Sequence, residues 1–507
     1  MAAKIIAHPS TADRRAVGAD ARIATPLESH QDWKPAADRF DPVALLEEQN
    51  VTREPDLVPV RHGRMMVSPF TFYRGAAKIM AADLSATPTA GLISQLCGDA
   101  HLSNFGGFAS PERRLVFDLN DFDETLPGPF EYDVKRMAAS FTIAARNNGM
   151  SAADGRAATM ASVRSYRQAM AEFAQMGVMD LWYAHKSEDD LQVSLRQVLD
   201  ASQVKPAKGK TKDVKGKDSR SKDSKGKSKT SKAKGAESDQ VRAALNAEKA
   251  MRKAHTRDSL QALSKLGEMV DGRYRIVSQP PVVVPLRELA SVAGMPPEEA
   301  EKGTHELFRQ YRDTLEHDRR HLLEKFEVID VARKVVGVGS VGTRAFIVLL
   351  QGRDEKDPLF LQVKEATKSV LEDHLPKSRF TNPGERVVRG QRMMQAASDI
   401  YLGWSKGVQA NRFFYWRQLR DMKMSATVET MSSFGLNWYA GMCGWTLARA
   451  HARSGDPVAM AEYLGDGDQF DRSITDFSER YADQNELDYQ AFTSAVQSGR
   501  IQAVQGV

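Results

Sequence analysis

Between Gly98 and Asp133 the chain reads GDAHLSNFGGFASPERRLVFDLNDFDETLPGPFEYD. Asp99, His101, Asn104, Asp118, Asp121, Asp123, Glu124, Glu131 and Asp133 are interleaved there with glycine and aromatic residues. The acids stand at the end of an apolar, strand-like run, Leu115-Val116-Phe117, and beside the turn Phe105-Gly106-Gly107-Phe108. Carboxylates held against apolar strands are costly unless they meet a cation or a proton donor. The stretch therefore reads as a chemical site, and any fold for this chain has to bring partners to it.

At 507 residues the chain has room for about two to four units of roughly 150 residues. Its hydrophobic fraction of 41% is enough for a packed core, so a globular protein is expected. Two cysteines, Cys97 and Cys443, argue against a disulfide framework and fit a reducing cytoplasm. The N-terminus lacks an apolar segment of signal-peptide length, and no run of about 18 apolar residues is present, so no membrane association is expected.

The net charge of +5 comes from one place. Residues 204–235 carry 12 Lys and one Arg against three Asp, a net of +10, which leaves the remainder at −5. Specific nucleic-acid binding is therefore not expected of the folded part. The segment 203–240 is Lys/Ser-rich and has almost nothing to bury, so it reads as a disordered insert that contacts polyanions weakly at most.

The chain divides into an irregular N-terminal arm (1–40), a helical part with the acidic loops (41–202), the insert (203–240), a further helical part (241–327), a β-rich part (328–425) and C-terminal helices (426–507). Within the β-rich part, ARKVVGVGSVGTRAFIVLLQGRDEKDPLFLQVKEATKS reads as three strands and two turns. A helix at about 384–398 and strands at 400–404 and 412–419 follow. The stretch 435–453 reads as an amphipathic helix.

The first turn contains Gly337, Gly339, Ser340 and Gly342 in a GxGxxG pattern. A dinucleotide fold needs a helix after such glycines, whereas a strand follows here. The alternatives are a loop covering phosphates or an ordinary flexible hairpin. Lys364 lies late in the next apolar strand, where it can reach phosphates as a point charge. Glu385, or alternatively Glu372, is expected to pair with it. In the acidic stretch, Asp99 and Asn104 stand as D-x-x-x-x-N, suited to a base and a metal ligand. Asp121 follows a strand and is placed to hold Mg2+, with Asp118 and Asp123 as competitors. Asp133 reads as an N-cap or a brace. Arg74 either touches phosphate or braces the loop. His451 reads as structural, with Asp456 as a neighbour.

GDAHLSNF…VFDLNDFDETLPGPFEYD resembles the catalytic and metal-binding segment of aminoglycoside-phosphotransferase-type kinases. From about 40 to 500 the chain also resembles an uncharacterised bacterial family, domain of unknown function 2252, in FYRGAA, CGDAHLSNFG, KVVGVGSVGTR, LQVKEA, GQRMMQAASD and LARAHARSGD. The resemblance implies an α+β, kinase-like, two-lobed fold with a small antiparallel sheet and a larger helical part. In such kinases the glycine loop and lysine precede the catalytic Asp, but here they follow it by more than 200 residues. Read cyclically, the order is restored, so a circular permutation is expected.

The resemblance further implies an ATP- and Mg2+-dependent phosphotransferase acting on a hydroxyl of a small molecule or protein. Asp99 would be catalytic, and His101, which has no fixed role in those kinases, is the second catalytic candidate. Asn104, Asp121 and Asp123 would hold the metal. Gly337, Gly339, Ser340, Gly342, Lys364 and Glu385 would bind the nucleotide. The competing readings are a hydrolase that cages a metal with Asp99, His101, Asp121 and Asp123, a nucleotidyltransferase, or a nucleotide-binding pseudokinase. Cys97 stands where these kinases place a histidine, which His101 or His451 would have to replace.

Overall fold

A computed structural model describes residues 8–202, 227–292, 294, 296–407, 411–419 and 421–506. The architecture is mixed α+β with several antiparallel sheets. The expected insert lies outside the described residues over 203–226, and from Lys227 to His255 the chain is helical. No helix among the described residues is long and apolar enough to cross a membrane.

The N-terminal arm is a correction. Residues 11–24 form a helix rather than irregular chain. A capping box starts it: the Ser10 side chain accepts from Asp13 N, and the Asp13 side chain accepts from Ser10 N. Its small residues Gly18 and Ala21 are buried, and Arg14 clamps it to Asp456.

The part expected to be helical, 41–202, also contains strands β1 (Ile93–Leu96), β2 (Phe105–Ala109), β3 (Leu115–Leu119), β4 (Leu126–Pro129) and β5 (Lys186–Ser187). β1 pairs with β4, and β2 pairs with β3. These two hairpins display the acidic stretch. Behind them pack the helices Glu131–Asn147, Ala152–Phe173, Ser433–Ala452 and Gln469–Gln497, which share one hydrophobic core. The 433–452 helix is not amphipathic as expected. Residues 446–452 are buried all round, because the helix is enclosed by its neighbours.

Two short strands, β6 (Gly267–Val270) and β7 (Arg273–Ile276), form a separate hairpin in the region expected to be helical. The six-stranded sheet comprises β8 (Val283–Pro285), β9 (Glu327–Lys334), β10 (Ala345–Gln351), β11 (Pro358–Glu365), β12 (Gly403–Lys406) and β13 (Phe413–Gln418). Its order is β12-β13-β11-β10-β9-β8, with every neighbouring pair antiparallel. The glycine loop joins β9 to β10. The helix Pro383–Met394, capped by Asn382 and with Pro383 at its start, lies between β11 and β12 in the chain. A last strand, β14 (Met424–Ser425), pairs with Gly106 and Gly107 of β2, so the chain leaves one sheet and joins the other.

Two local contacts position the site. The Gln95 N–H donates to Ser454 Oγ at 2.9 Å, seating the end of the 433–452 helix against β1. The C-terminal tail returns to the helix Val58–Met65, where Val504 N donates to the Pro59 carbonyl at 2.8 Å.

Candidate functional site

β1 runs directly into Cys97-Gly98-Asp99. Gly98 has φ +84°, and an added Cβ would collide with the Glu124 carbonyl oxygen, so only glycine turns the chain here. Asp133, in the first turn of its helix, accepts from Cys97 N at 2.7 Å and from Gly98 N at 3.0 Å. It is the brace of the loop. Behind it, His451 Nε2 lies 3.2 Å from Asp133 Oδ2, and the Tyr166 hydroxyl lies 2.9 Å from His451 Nδ1. Asp133, not Asp456, is therefore the partner of His451. Asp456 caps the helix Pro457–Leu464 and holds Arg14 instead.

Asp99 is gripped through Oδ1 by the Arg136 guanidinium at 2.8 Å. Its Oδ2 lies 3.7 Å from His101 Nε2 and makes no hydrogen bond among the described residues. Burial raises the Asp99 carboxyl above its ordinary value despite Arg136. Burial, reinforced by Arg74 and Arg136, pushes the His101 imidazole well below its ordinary value, so it is neutral. Asn104 Nδ2 donates to the Asp99 carbonyl at 2.5 Å, which leaves its side-chain oxygen available.

Asp118, Asp121 and Asp123 part ways. Asp118 is buried against the Arg449 guanidinium and also accepts from Ala396 N at 3.0 Å. It faces the core from within β3 and does not compete for a metal, which corrects the expectation. Asp123 Oδ2 receives Lys364 Nζ at 2.6 Å and Ser340 Oγ at 3.3 Å, while Oδ1 accepts the Tyr415 hydroxyl at 2.6 Å. Burial opposes the charge of Asp123, but Lys364 and Tyr415 outweigh it and hold the carboxyl below its usual range. Asp121 Oδ1 lies farther from Lys364 Nζ, at 3.4 Å. Lys364 is enclosed by its strand, yet Asp121 and Asp123 overcome burial and keep it charged.

Glu385 was expected to pair with Lys364, and it does not. It lies 3.4 Å from Arg389 on its own helix. The Asn382 cap sets the rotation of that helix so that Arg386, Val387 and Gly390 face inward. The alternate, Glu372, closes a capping box with Ser369. The acids that meet Lys364, Asp121 and Asp123, come instead from 243 and 241 residues upstream.

The glycine loop lies over this cluster. Gly337 and Gly342 have φ +66° and +89°, conformations that favour glycine. An added Cβ on Gly339 would lie 3.2 Å from the Arg74 carbonyl. Residues 53–64 strap the loop from outside. Arg53 donates to the Val341 carbonyl, Glu54 N to the Gly342 carbonyl at 2.7 Å, and Arg64 Nη1 to the Gly337 carbonyl at 2.6 Å.

Two clefts of about 400 Å³ each meet under the loop. One is lined by Arg74, Asp99, His101, Asn104, Asp123 and Glu124, among others. The second is lined by Lys334, Gln362, Lys364, Asp399, Arg417 and Gln418, among others. Asp121, Gly337 and Ser340 line both. Arg417, Gln418, Leu419 and Asp421 border the second cleft, and Arg420 between them lies outside the described residues.

Sequence reasoning missed Arg136, Tyr415 and the strap. It named Glu124 without assigning it a role. Burial raises the Glu124 carboxyl to about 7 while Arg386 and the Val370 N–H partly offset it. Arg136 stands three residues beyond Asp133 on the helix that braces the loop, a spacing that was available as a signal. Tyr415 had none, since its role depends on β13 lying beside β11. Among the described residues no group of three or more His, Cys, Asp and Glu side chains is arranged to hold a metal ion. Asn104 and Asp121 are two of the oxygen donors facing the cleft, a hard pair of the kind Mg2+ accepts when phosphate oxygens and water complete its shell.

The profile of one protein family matches residues 53–249 and 212–495, and the chain belongs to that family, described as uncharacterized protein conserved in bacteria (DUF2252). No curated protein and no solved structure matches the chain.

Proposed function

We propose that this chain is an ATP- and Mg2+-dependent phosphotransferase acting on a hydroxyl acceptor, built as a kinase-like arrangement in circularly permuted order. The observation that carries the reading is the meeting of Lys364 with Asp121 and Asp123 beneath the glycine hairpin, beside a cleft that exposes Asp99. The order of parts supports it: glycine loop, lysine strand, helix, two strands, a segment at 417–421 that would serve as the hinge, long helix. The bond between Ser454 and Gln95 then brings the end of that helix to the strand leading into Asp99.

In this reading the nucleoside occupies the cleft beside Gln418, and its phosphates reach Gly337, Ser340 and Asp121. The acceptor enters the cleft beside Asp99. Asn104 and Asp121 would hold Mg2+, which neutralises phosphate charge. Asp99 Oδ2 takes the proton of the acceptor hydroxyl. The acceptor oxygen bonds to the γ-phosphorus, the bond to the bridging oxygen breaks, and its electron pair leaves on ADP. Because Asp99 is fixed by Arg136 and Gly98, catalysis would consist mainly of positioning and charge neutralisation.

The metal-cage hydrolase reading is weaker on this geometry. Asp99 is committed to Arg136, and Asp123, with Asp121 at 3.4 Å, to Lys364, so three of its four ligands already face protein cations.

Calorimetric titration with ATP and Mg2+ tests the proposal, followed by product analysis over long incubation. Saturable binding and release of ADP are expected. Absence of nucleotide binding overturns the reading, and release of AMP with pyrophosphate replaces it with nucleotidyl transfer.

A further inference from the structure

Arg74 is the cation of the catalytic cleft whose guanidinium the protein leaves unanswered. It lies at the end of the helix Pro69–Gly75 and lines the cleft that holds Asp99 and His101. The other buried cations near the site are engaged, and Lys368, which also lines the cleft, is exposed to solvent. Arg136 grips Asp99, Lys364 grips Asp123, and Lys78 sits between Glu48 at 3.0 Å and Asp373 at 2.8 Å. Arg53 is spent on the Val341 carbonyl. Arg74 makes no hydrogen bond or ion pair among the described residues, and its buried Nε has no partner. The Phe70 ring lies 6.0 Å from the guanidinium carbon.

A buried guanidinium nitrogen without a partner is costly unless a ligand supplies one. Bracing the catalytic loop is not its task, because Arg136 and Asp133 already do that. Its position narrows what the ligand is. The Arg74 main chain lies close to the glycine loop at Gly339, and its charge is felt by Glu429, Asp99 and His101. A group that lies between the glycine loop and Asp99 is the one being transferred.

We infer that Arg74 donates to the non-bridging oxygens of the terminal phosphoryl group of a bound nucleoside triphosphate, as an arginine supplied by the same chain. This rests on the phosphotransferase reading above and adds a catalytic residue to it. As the acceptor oxygen bonds to phosphorus and the bridging oxygen departs on the diphosphate, the planar guanidinium stays hydrogen-bonded to the phosphoryl oxygens throughout.

The test compares ATP with ADP, each with Mg2+, by calorimetric titration of the full chain and of Arg74→Met and Arg74→Lys. Arg74→Met keeps an apolar stem and removes the donors. Its circular dichroism and thermal midpoint report whether it folds, and Arg74→Lys serves as the second variant should it not. The expected result is that wild type prefers ATP and that Arg74→Met loses about tenfold or more in ATP affinity while ADP affinity is unchanged. Arg74→Lys is expected to retain charge but recover only part of the preference. Equal loss for ATP and ADP, or no loss for either, overturns the assignment. The second of these outcomes would move Arg74 to an acid group on the acceptor. If wild type binds neither nucleotide, the phosphotransferase reading fails and this inference fails with it. If wild type binds both and the variants keep its preference, only this inference falls.

Discussion

The Lys364 ammonium lies 2.6 Å from the Asp123 carboxylate across 241 residues of chain. Tyr415 secures the other oxygen of that carboxylate, and Asp121 stands on the near side of the lysine. The pair ties the six-stranded sheet to the acidic loop and places a fixed positive charge where the two clefts meet.

Replacing Lys364 with Met removes this tie. The lysine side chain is only 2% exposed, so its loss leaves Asp123 with the tyrosine hydroxyl as its main support. Stability measured by urea unfolding should fall by about 3 kcal/mol. Nucleotide affinity should fall at least tenfold, roughly the worth of one charged contact to phosphate. A folded variant with wild-type affinity would contradict the proposed phosphate site.

Asp99→Asn keeps the shape of the side chain and removes the base. Turnover should drop by about 10²- to 10⁴-fold, the usual worth of a positioned proton acceptor. Nucleotide affinity should change by no more than about twofold, since the lost interaction belongs to the transition state. Loss of affinity without loss of turnover would put Asp99 in binding rather than in chemistry.

Glu124 makes stability depend on pH. Its carboxyl is raised to about 7 in the folded chain from an ordinary value of 4.5. The folded state therefore holds more protons than the unfolded state between these values, and this group lowers stability as pH rises from 4.5 to 7. Glu131 is shifted in the same direction, so the comparison has to be internal. Urea unfolding of wild type and Glu124→Gln at pH 5 and pH 8 should show a smaller decline in the variant, by about 1–3 kcal/mol. Parallel declines would assign the effect elsewhere.

Glu385→Ala should do nothing to nucleotide binding. Its partner is Arg389, one helical turn away and half exposed, and such a pair contributes about 0.5 kcal/mol or less. A clear loss of affinity in calorimetry would restore Glu385 to the site.

Legibility in the sequence followed the range of the interactions. β9, β10 and β11 were readable because β-branched runs broken by glycine or Gly-Arg-Asp are local signals, and Lys364 could be placed on its strand for the same reason. Asp99, Asn104 and Asp121 were readable because their spacing is short. The partner of Lys364 was not, because no local pattern says that a carboxylate 241 residues upstream will arrive beside it. Choosing Glu385 assumed that the nearest acid on the next helix faces the sheet, whereas the Asn382 cap turned Arg386 inward instead. The helix at 11–24 was overlooked because its buried stripe is made of Gly18 and Ala21, which register weakly as apolar, although Ser10 and Asp13 carried the start signal. β1 and β4 were missed because both are short and β4 contains Pro127 and Pro129, so only pairing with each other makes them strands.

The strap over the glycine loop has a bearing on how the protein comes into being. Arg53 and the Val341 carbonyl it meets are 288 residues apart. A ribosome adding about 5–20 residues per second needs roughly 15–60 s to deliver the second after the first. Through that interval Asp121 and Asp123 emerge without the lysine that neutralises them, and the strap has nothing to hold. On the proposed phosphotransferase reading, competence for nucleotide would thus arrive late in translation and nearly at once, leaving a half-made chain inert rather than partly active.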